Sequence, residues 1–303
     1  MEDESAGEDE GDGDIDRLTA NINIHGSEDE ITMAEYEMHR THKKFVVRQL
    51  PSKGLSFQVW PAASALCWFL DEMYWHHPTI VTAADENTRI SSCIGQDVGS
   101  INGGELNSSA EGYCELDYVA RLLLQRRDDK QALKVLELGA GTGMVGIAAA
   151  LLGAHVTITD LPHVLPNIEF NASVNEEPLQ ASRQGGSVCV KALRWGEEED
   201  VVEVGHNFDL ILASDVVYHE NLFDPLLLTL KWLLLGNGEK DSNPILLMAH
   251  LRRWKKDARF FKKAKKLFNV RVVHRHSALP GSRLGVIIYC FTNKETKIIT
   301  ALT

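Results

Sequence analysis

The stretch VLELGAGTGMVG, residues 135–146, carries an apolar strand into a helix through four glycines. Within it, Gly141-Thr-Gly143-Met-Val-Gly146 has the G-x-G-x-x-G spacing of a dinucleotide-binding turn. Glycine lets the backbone approach a ligand, and the start of the following helix favours a negative group. Asp160 closes the next predicted strand about 20 residues further on, where an acid that bonds ribose hydroxyls is expected. A bare strand–helix turn without a ligand needs neither the glycine run nor the acid.

Working outward, short apolar runs alternate with helix-length segments. Strands are predicted at 134–138, 154–159, 187–191, 208–213, 244–249, 270–274 and 285–291. Helices are predicted at about 143–152, 164–175, 220–235 and 254–268. That order predicts an α/β fold with a parallel sheet and crossover helices. The short link 275–284 predicts an antiparallel last pair. Upstream, Lys44 to Arg48 and Leu55 to Val59 alternate around the turn signal Pro51-Ser-Lys-Gly54, which predicts an N-terminal hairpin. Pro61 then opens an apolar helix through Met73, and Glu115 to Arg127 has a further helical stripe. Residues 78–112, rich in Thr, Ser, Gly and Asn, are expected to form a flexible insertion.

Charge divides the chain in two. Residues 1–40 hold 14 acids and 2 bases, which is the whole net charge of −12. They are expected to be a disordered acidic tail, followed by one domain over 41–303. The remainder, with 29 acids and 29 bases, excludes a strongly basic nucleic-acid binder. Five scattered cysteines without a CxxC pair argue against a disulfide framework or structural zinc site, and no metal site is expected. No secretory or mitochondrial address is visible, and the most apolar stretch, 226–235, is half of the ~20 residues that a membrane span needs. A cytosolic location, with the nucleus as a second, is expected.

Two ligands fit the glycine loop, NAD or S-adenosylmethionine. The run begins earlier than NAD requires, as Glu137-Leu-Gly139-Ala-Gly141-Thr-Gly143. With Val59-Trp60-Pro-Ala-Ala, Leu193-Arg-Trp195-Gly and Phe208-Asp-Leu-Ile-Leu-Ala-Ser-Asp215-Val-Val-Tyr218, it resembles the seven-β-strand, family-16 protein-lysine methyltransferases over about 43–303. The acidic tail and the 78–112 insertion depart from that pattern.

The resemblance implies a Rossmann-like seven-stranded class I methyltransferase sheet and a methyl transfer from S-adenosylmethionine to a lysine of a partner protein. Chaperones, ATPases and translation factors are the substrate types it suggests, with a monomer as the expected state. It assigns Trp60, Glu137, Gly139, Ala140, Gly141, Asp160, Trp195 and Ser214 to the cofactor. Asp215 and Tyr218, the Asp-x-x-Tyr pair, would orient the amine. The competing reading of Asp215 is a helix N-cap, and of Trp195 and Trp60 a place in the core. Two other functions stay open: an NAD(P)-dependent oxidoreductase, against which Glu137 and Trp195 speak, and a non-catalytic cofactor-binding module, against which the Asp215/Tyr218 pair speaks.

Residues 252–275 carry 11 Lys/Arg and one acid around a stripe of Phe260, Phe261, Ala264, Leu267 and Phe268. They are expected to be the wet face of a helix, with an acidic partner, the protein's own tail included, as the alternative.

Overall fold

The structure, a computed structural model, describes residues 19–22, 31–77, 116–120, 122–123, 132–181, 185–235, 244–276 and 285–294. The chain opens with strands β1 (Thr19–Ile22), β2 (Thr32–Glu37) and β3 (Lys44–Gln49), which form an antiparallel sheet in that order. Helix α1 (Pro61–His76) follows, with Pro61 at its first position, where a missing N–H costs nothing. Then come β4 (Lys134–Leu138), α2 (Met144–Leu151), β5 (His155–Asp160), α3 (Leu165–Val174), α4 (Glu176–Ala181), β6 (Ser187–Ala192), α5 (Glu198–Val204) and β7 (Leu210–Ser214). The chain continues through α6 (Phe223–Leu235), β8 (Ile245–Leu251), α7 (Asp257–Leu267), β9 (Phe268–His276) and β10 (Val286–Asn293).

Strands β4 to β10 form one sheet in the order β6-β5-β4-β7-β8-β10-β9. Five strands are parallel, and β10 runs antiparallel to both β8 and β9. The central strands read VLEL, LILA and ILLMA without alternation because both faces are covered. On one face, α1 and α2 bury Leu66, Phe69, Met73, Ile147 and Leu151. On the other, α6 and α7 bury Leu226, Leu230, Leu233 and Phe260. Strand order reverses between β5 and β7 on either side of β4, and the carboxyl ends of the strands at such a reversal leave a crevice for a ligand. Gly146 shows how closely α2 lies on the sheet: a Cβ there would meet Glu137 Oε2 at 2.5 Å and Ile158 Cγ1 at 2.6 Å.

The N-terminal sheet is tied to the domain by asparagines one helical turn apart, which share a face of α3 and its C-terminus. Asn175 Oδ1 accepts from Val46 N–H at 2.8 Å, and its amide donates to Val46 O at 2.7 Å. Asn171 Oδ1 accepts from Arg48 N–H at 2.8 Å, and its amide donates to Arg48 O at 3.1 Å and Thr142 O at 2.9 Å. Asn167 Oδ1 accepts from Arg48 Nε at 2.8 Å. Side-chain amides thus satisfy the backbone of β3 where a further strand would otherwise pair.

Three expectations are corrected. The disordered tail does not extend to residue 40, because β2 lies inside it with Ala34, Tyr36 and Met38 buried. Net charge hid a period-2 pattern: Glu35 and Glu37 point outward towards Lys44, while Tyr36 stacks on Phe45 at 5.7 Å. Residues 1–18 and 23–30 of the expected tail lie outside the described residues, as does the insertion at 78–112.

The expected hairpin partner of β3 is wrong too. Residues 55–57 form a 3-10 turn rather than a strand, and β3 pairs with β2 in its place. Finally, the helix expected at 164–175 is followed by the short α4, and α5 is an additional helix. The acidic segment Glu198-Glu-Asp-Val-Val-Glu-Val204 offers few apolar positions from which to read a period.

Candidate active site

The loop between β4 and α2 carries three left-handed glycines, Gly139, Gly141 and Gly143, at φ +61°, +60° and +78°. All three also lack room for a side chain, Gly143 because a Cβ there would stand 3.0 Å from Ile168 Cγ2. A Cβ on Gly139 would stand 2.7 Å from Trp195 Cζ2 and 3.1 Å from Val216 Cγ1, and one on Gly141 3.1 Å from Ser56 O. Bare backbone is therefore enclosed by Trp195 on one side and the 55–57 turn on the other. Trp60 joins that turn, its Nε1 donating to Leu55 O at 3.0 Å.

Asp160 is buried at the end of β5 and organises the loop. Its Oδ2 accepts from Gly141 N–H and its Oδ1 from Leu161 N–H, both at 2.7 Å. Burial pushes its pKa up, and the two N–H bonds work against that rise. Each oxygen retains lone-pair capacity for hydroxyl donors. Ala140, nearly buried, donates its N–H to Thr159 O at 3.0 Å.

Glu137 lies elsewhere than on the cleft. Its carboxyl is 1% exposed beneath α2, where Oε2 accepts from Gly146 N–H at 2.8 Å and Oε1 has no hydrogen-bond partner. Burial pushes its pKa up to about 8. It braces the start of α2 from below, within electrostatic reach of Asp160.

At the end of β7, Ser214 is half-buried and Asp215 adopts a left-handed backbone, φ +56°, which is uncommon for a residue with a side chain. Strained residues of this kind concentrate at functional sites. The N-cap reading of Asp215 fails: the next turn begins at Glu220 behind His219, and α6 at Phe223. Asp215 Oδ2 accepts from Arg253 Nη2 at 2.6 Å. Its Oδ1 is buried without a hydrogen-bond partner, 3.9 Å from His250 Nδ1. On the other side of that ring, His250 Nε2 lies 3.4 Å from Asp257 Oδ2. Burial pulls His250 down, towards the neutral ring. Arg253 also lies over Trp60, its guanidinium carbon 4.9 Å from the ring centre.

Tyr218, half-buried, is raised by burial and then by the charge of Asp160. Tyr218 is thus within electrostatic reach of the acid that holds the glycine loop. Contacts thus run from Asp160 through Gly141 to the 55–57 turn, from there through Trp60 and Arg253 to Asp215, and from Gly139 to Trp195.

Sequence reasoning missed Arg253, His250 and Asp257. Arg253 belongs to a basic run whose other members face solvent, among them Arg259 and Lys263, paired with Glu220 and Asp224. The available signal was strand adjacency: β8 lies beside β7, so residues after one meet residues after the other. Among the described residues there is no cluster of three His, Cys, Asp or Glu placed to hold a metal, and no helix long and apolar enough to cross a membrane.

The enclosed glycine backbone and the buried acid at the end of β5 fit a cofactor with a ribose and no bulky group against residues 139–141. Comparisons with known proteins agree with that chemistry. A family model described as lysine methyltransferase matches residues 39–267. The protein N-lysine methyltransferase METTL21A of Danio rerio is 42% identical over 149 residues, 49% of this chain and 63% of that protein. The EEF1A lysine methyltransferase 3 of Mus musculus is 47% identical over 110 residues, 36% of this chain and 44% of that one. The protein-lysine methyltransferase METTL21E of Bos taurus is 37% identical over 165 residues, 54% and 52% of the two chains. The chain spans 44% to 63% of the length of these relatives. With the family model covering well over half of its residues, the chain belongs to the lysine methyltransferase family.

Proposed function

We propose that this chain transfers a methyl group from S-adenosylmethionine to a lysine side chain of another protein. The observation that carries the reading is Asp215, held in a left-handed backbone at the carboxyl end of β7, three residues before a tyrosine within electrostatic reach of Asp160.

In this reading the backbone of Gly139, Ala140, Gly141 and Ser214 lines the cofactor, Asp160 accepts from its ribose, and Trp195 and Trp60 cover it. Glu137 serves the same site indirectly, by fixing the N–H of Gly146 under the loop. S-adenosylmethionine supplies the electrophilic methyl: the amine lone pair forms the C–N bond, sulfur keeps the electrons of the broken bond, and one N–H proton is released. A free lysine at pH 7 is neutral in only about 1 molecule in 2,500, a penalty of roughly 4.6 kcal/mol. Asp215 and Tyr218 orient the neutral amine by accepting its N–H groups, and much of the acceleration is positioning. The acceptor is a chaperone, an ATPase or a translation factor. The name of the mouse relative, an EEF1A methyltransferase, favours the last. The protein acts as a monomer in the cytosol or nucleus.

S-adenosylhomocysteine should raise the melting temperature by mass action while NADH leaves it unchanged. Incubation with tritiated S-adenosylmethionine and a cell lysate should label a protein at lysine, located by mass spectrometry. Label on another residue type, or stabilisation by NADH instead, refutes the reading. Asp215→Asn should retain S-adenosylhomocysteine binding and lose more than tenfold in single-turnover rate, since a hydrogen bond to a charged group is worth roughly 1.5–3 kcal/mol.

A further inference from the structure

We propose that Arg253 is a positioning residue that keeps the acceptor amine in its neutral, nucleophilic form by occupying the oxygen of Asp215 that would otherwise hold an ammonium. The inference rests on the lysine methyltransferase reading of the cleft.

The geometry leaves Asp215 little freedom. Its side chain is 5% exposed, Oδ2 carries Arg253 Nη2 at 2.6 Å, and Oδ1 is closed off beside His250. An amine entering beside Asp215 therefore has only Oδ2 to meet, as a second donor to an oxygen whose charge the guanidinium already compensates. A bare carboxylate in so enclosed a place would attract a lysine as its ammonium and raise the amine's pKa. An ammonium has no lone pair, so a tighter complex of that kind is an unproductive one. With the guanidinium in place, an incoming cation meets a fixed positive charge at the same oxygen. A neutral amine meets only a hydrogen-bond acceptor.

Arginine suits this role because it stays protonated at every pH at which a lysine titrates. It is also held from a second side, by the Trp60 ring. The charged and titratable groups around Asp215 come from β8, the segment after it and α7. They are Arg253 after β8, His250 on β8 and, behind His250, Asp257 at the start of α7, with Tyr218 three residues along the chain from Asp215. None of the others puts a cation on Oδ2. A plain stability role explains the ion pair but gives no reason for it to stand on the carboxylate expected to meet the substrate.

The test compares the full-length wild-type chain with Arg253→Gln and Arg253→Lys. Initial rates of tritium transfer are measured at saturating S-adenosylmethionine, between pH 7 and 10. The acceptor is the lysate protein that the wild-type chain labels, and its concentration is varied. Arg253→Gln should lower both KM for the acceptor and kcat at pH 7.5. Its rate should recover with alkali, the midpoint of the rise lying about one pH unit above wild type, which is roughly tenfold in rate at fixed pH on that limb. Arg253→Lys keeps the charge and should restore most of the wild-type midpoint. Stabilisation by S-adenosylhomocysteine, unchanged in both variants, would show that fold and cofactor site persist. An unshifted midpoint, or a loss of kcat with KM unchanged and no recovery in alkali, overturns the role of Arg253 alone. A wild-type chain that labels no lysine overturns the reading of the cleft, and the role of Arg253 with it.

Discussion

Replacing Asn171 by alanine tests how the N-terminal sheet and the glycine loop are joined. Asn171 is fully buried and makes three hydrogen bonds, to Arg48 N–H, Arg48 O and Thr142 O. Arg48 O keeps a contact from Asn167 Nδ2 at 3.4 Å, so the truncation bears hardest on Arg48 N–H and Thr142 O. A buried polar group left unpaired costs about 1–3 kcal/mol, which puts the variant roughly 2–4 kcal/mol below wild type. For a domain of this size, that lowers the melting temperature by about 5–15 °C. Equilibrium denaturation followed by tryptophan fluorescence gives the energy. Titration calorimetry with S-adenosylhomocysteine gives the consequence for the loop, a loss of affinity through Thr142. Ser173→Ala, on the exposed side of the same helix, is the control and should stay within about 0.5 kcal/mol. If Asn171→Ala also stays within that margin, water replaces the amide and the asparagines do not hold β3.

Gly139→Ala should weaken S-adenosylhomocysteine more than tenfold by calorimetry: a left-handed backbone costs an L-residue about 1–2 kcal/mol, and the new methyl meets Trp195 at 2.7 Å. Unchanged affinity would show that Trp195 does not enclose the loop. Glu137 holds its proton to about pH 8 when folded and to about 4.5 when unfolded. Its contribution to stability is therefore full below pH 4.5 and falls as pH rises to 8, by at most about 1.4 kcal/mol per unit. Glu137→Gln should flatten that part of the stability–pH curve, and a curve of unchanged slope would show that the carboxyl ionises freely. His274, its ring tilted against Trp68 with centroids 4.8 Å apart, is pushed down to about 4 by burial and then by His276. It contributes the opposite slope: stability is lost as pH falls from 6.5 towards 4, and His274→Phe should reduce that loss in acid denaturation.

Much of the framework was legible in sequence because it is encoded locally. The continuous apolar runs of β4, β7 and β8 and the glycines between β4 and α2 need no distant partner to be read. Each reports a burial pattern or a backbone geometry that its own residues dictate. The spacing after the glycines extended that reading to Asp160, and the family motifs extended it to Trp195, Asp215 and Tyr218. The errors came where local signals cancel. Glu35 and Glu37 raise the negative charge of the tail, yet they are the outward half of a strand whose inward half, Ala34 and Tyr36, is buried.

Tertiary structure decided what depends on neighbours far apart in the chain. Leu55 to Phe57 alternate as a strand would, but β2 takes the edge of β3 that they would need. Asn167, Asn171 and Asn175 read as ordinary polar positions until α3 meets the backbone of β3 more than 100 residues away. Glu137 and Asp160 both read as cofactor acids. Only the packing of α2 onto the sheet shuts the first away and leaves the second facing the loop. Arg253 is one cation among eleven by composition, and it becomes the partner of Asp215 because β8 lies beside β7. Local propensity and period depend on a few consecutive residues, whereas the charge environment of a side chain depends on which strands are neighbours, and that is settled only when the whole sheet has formed.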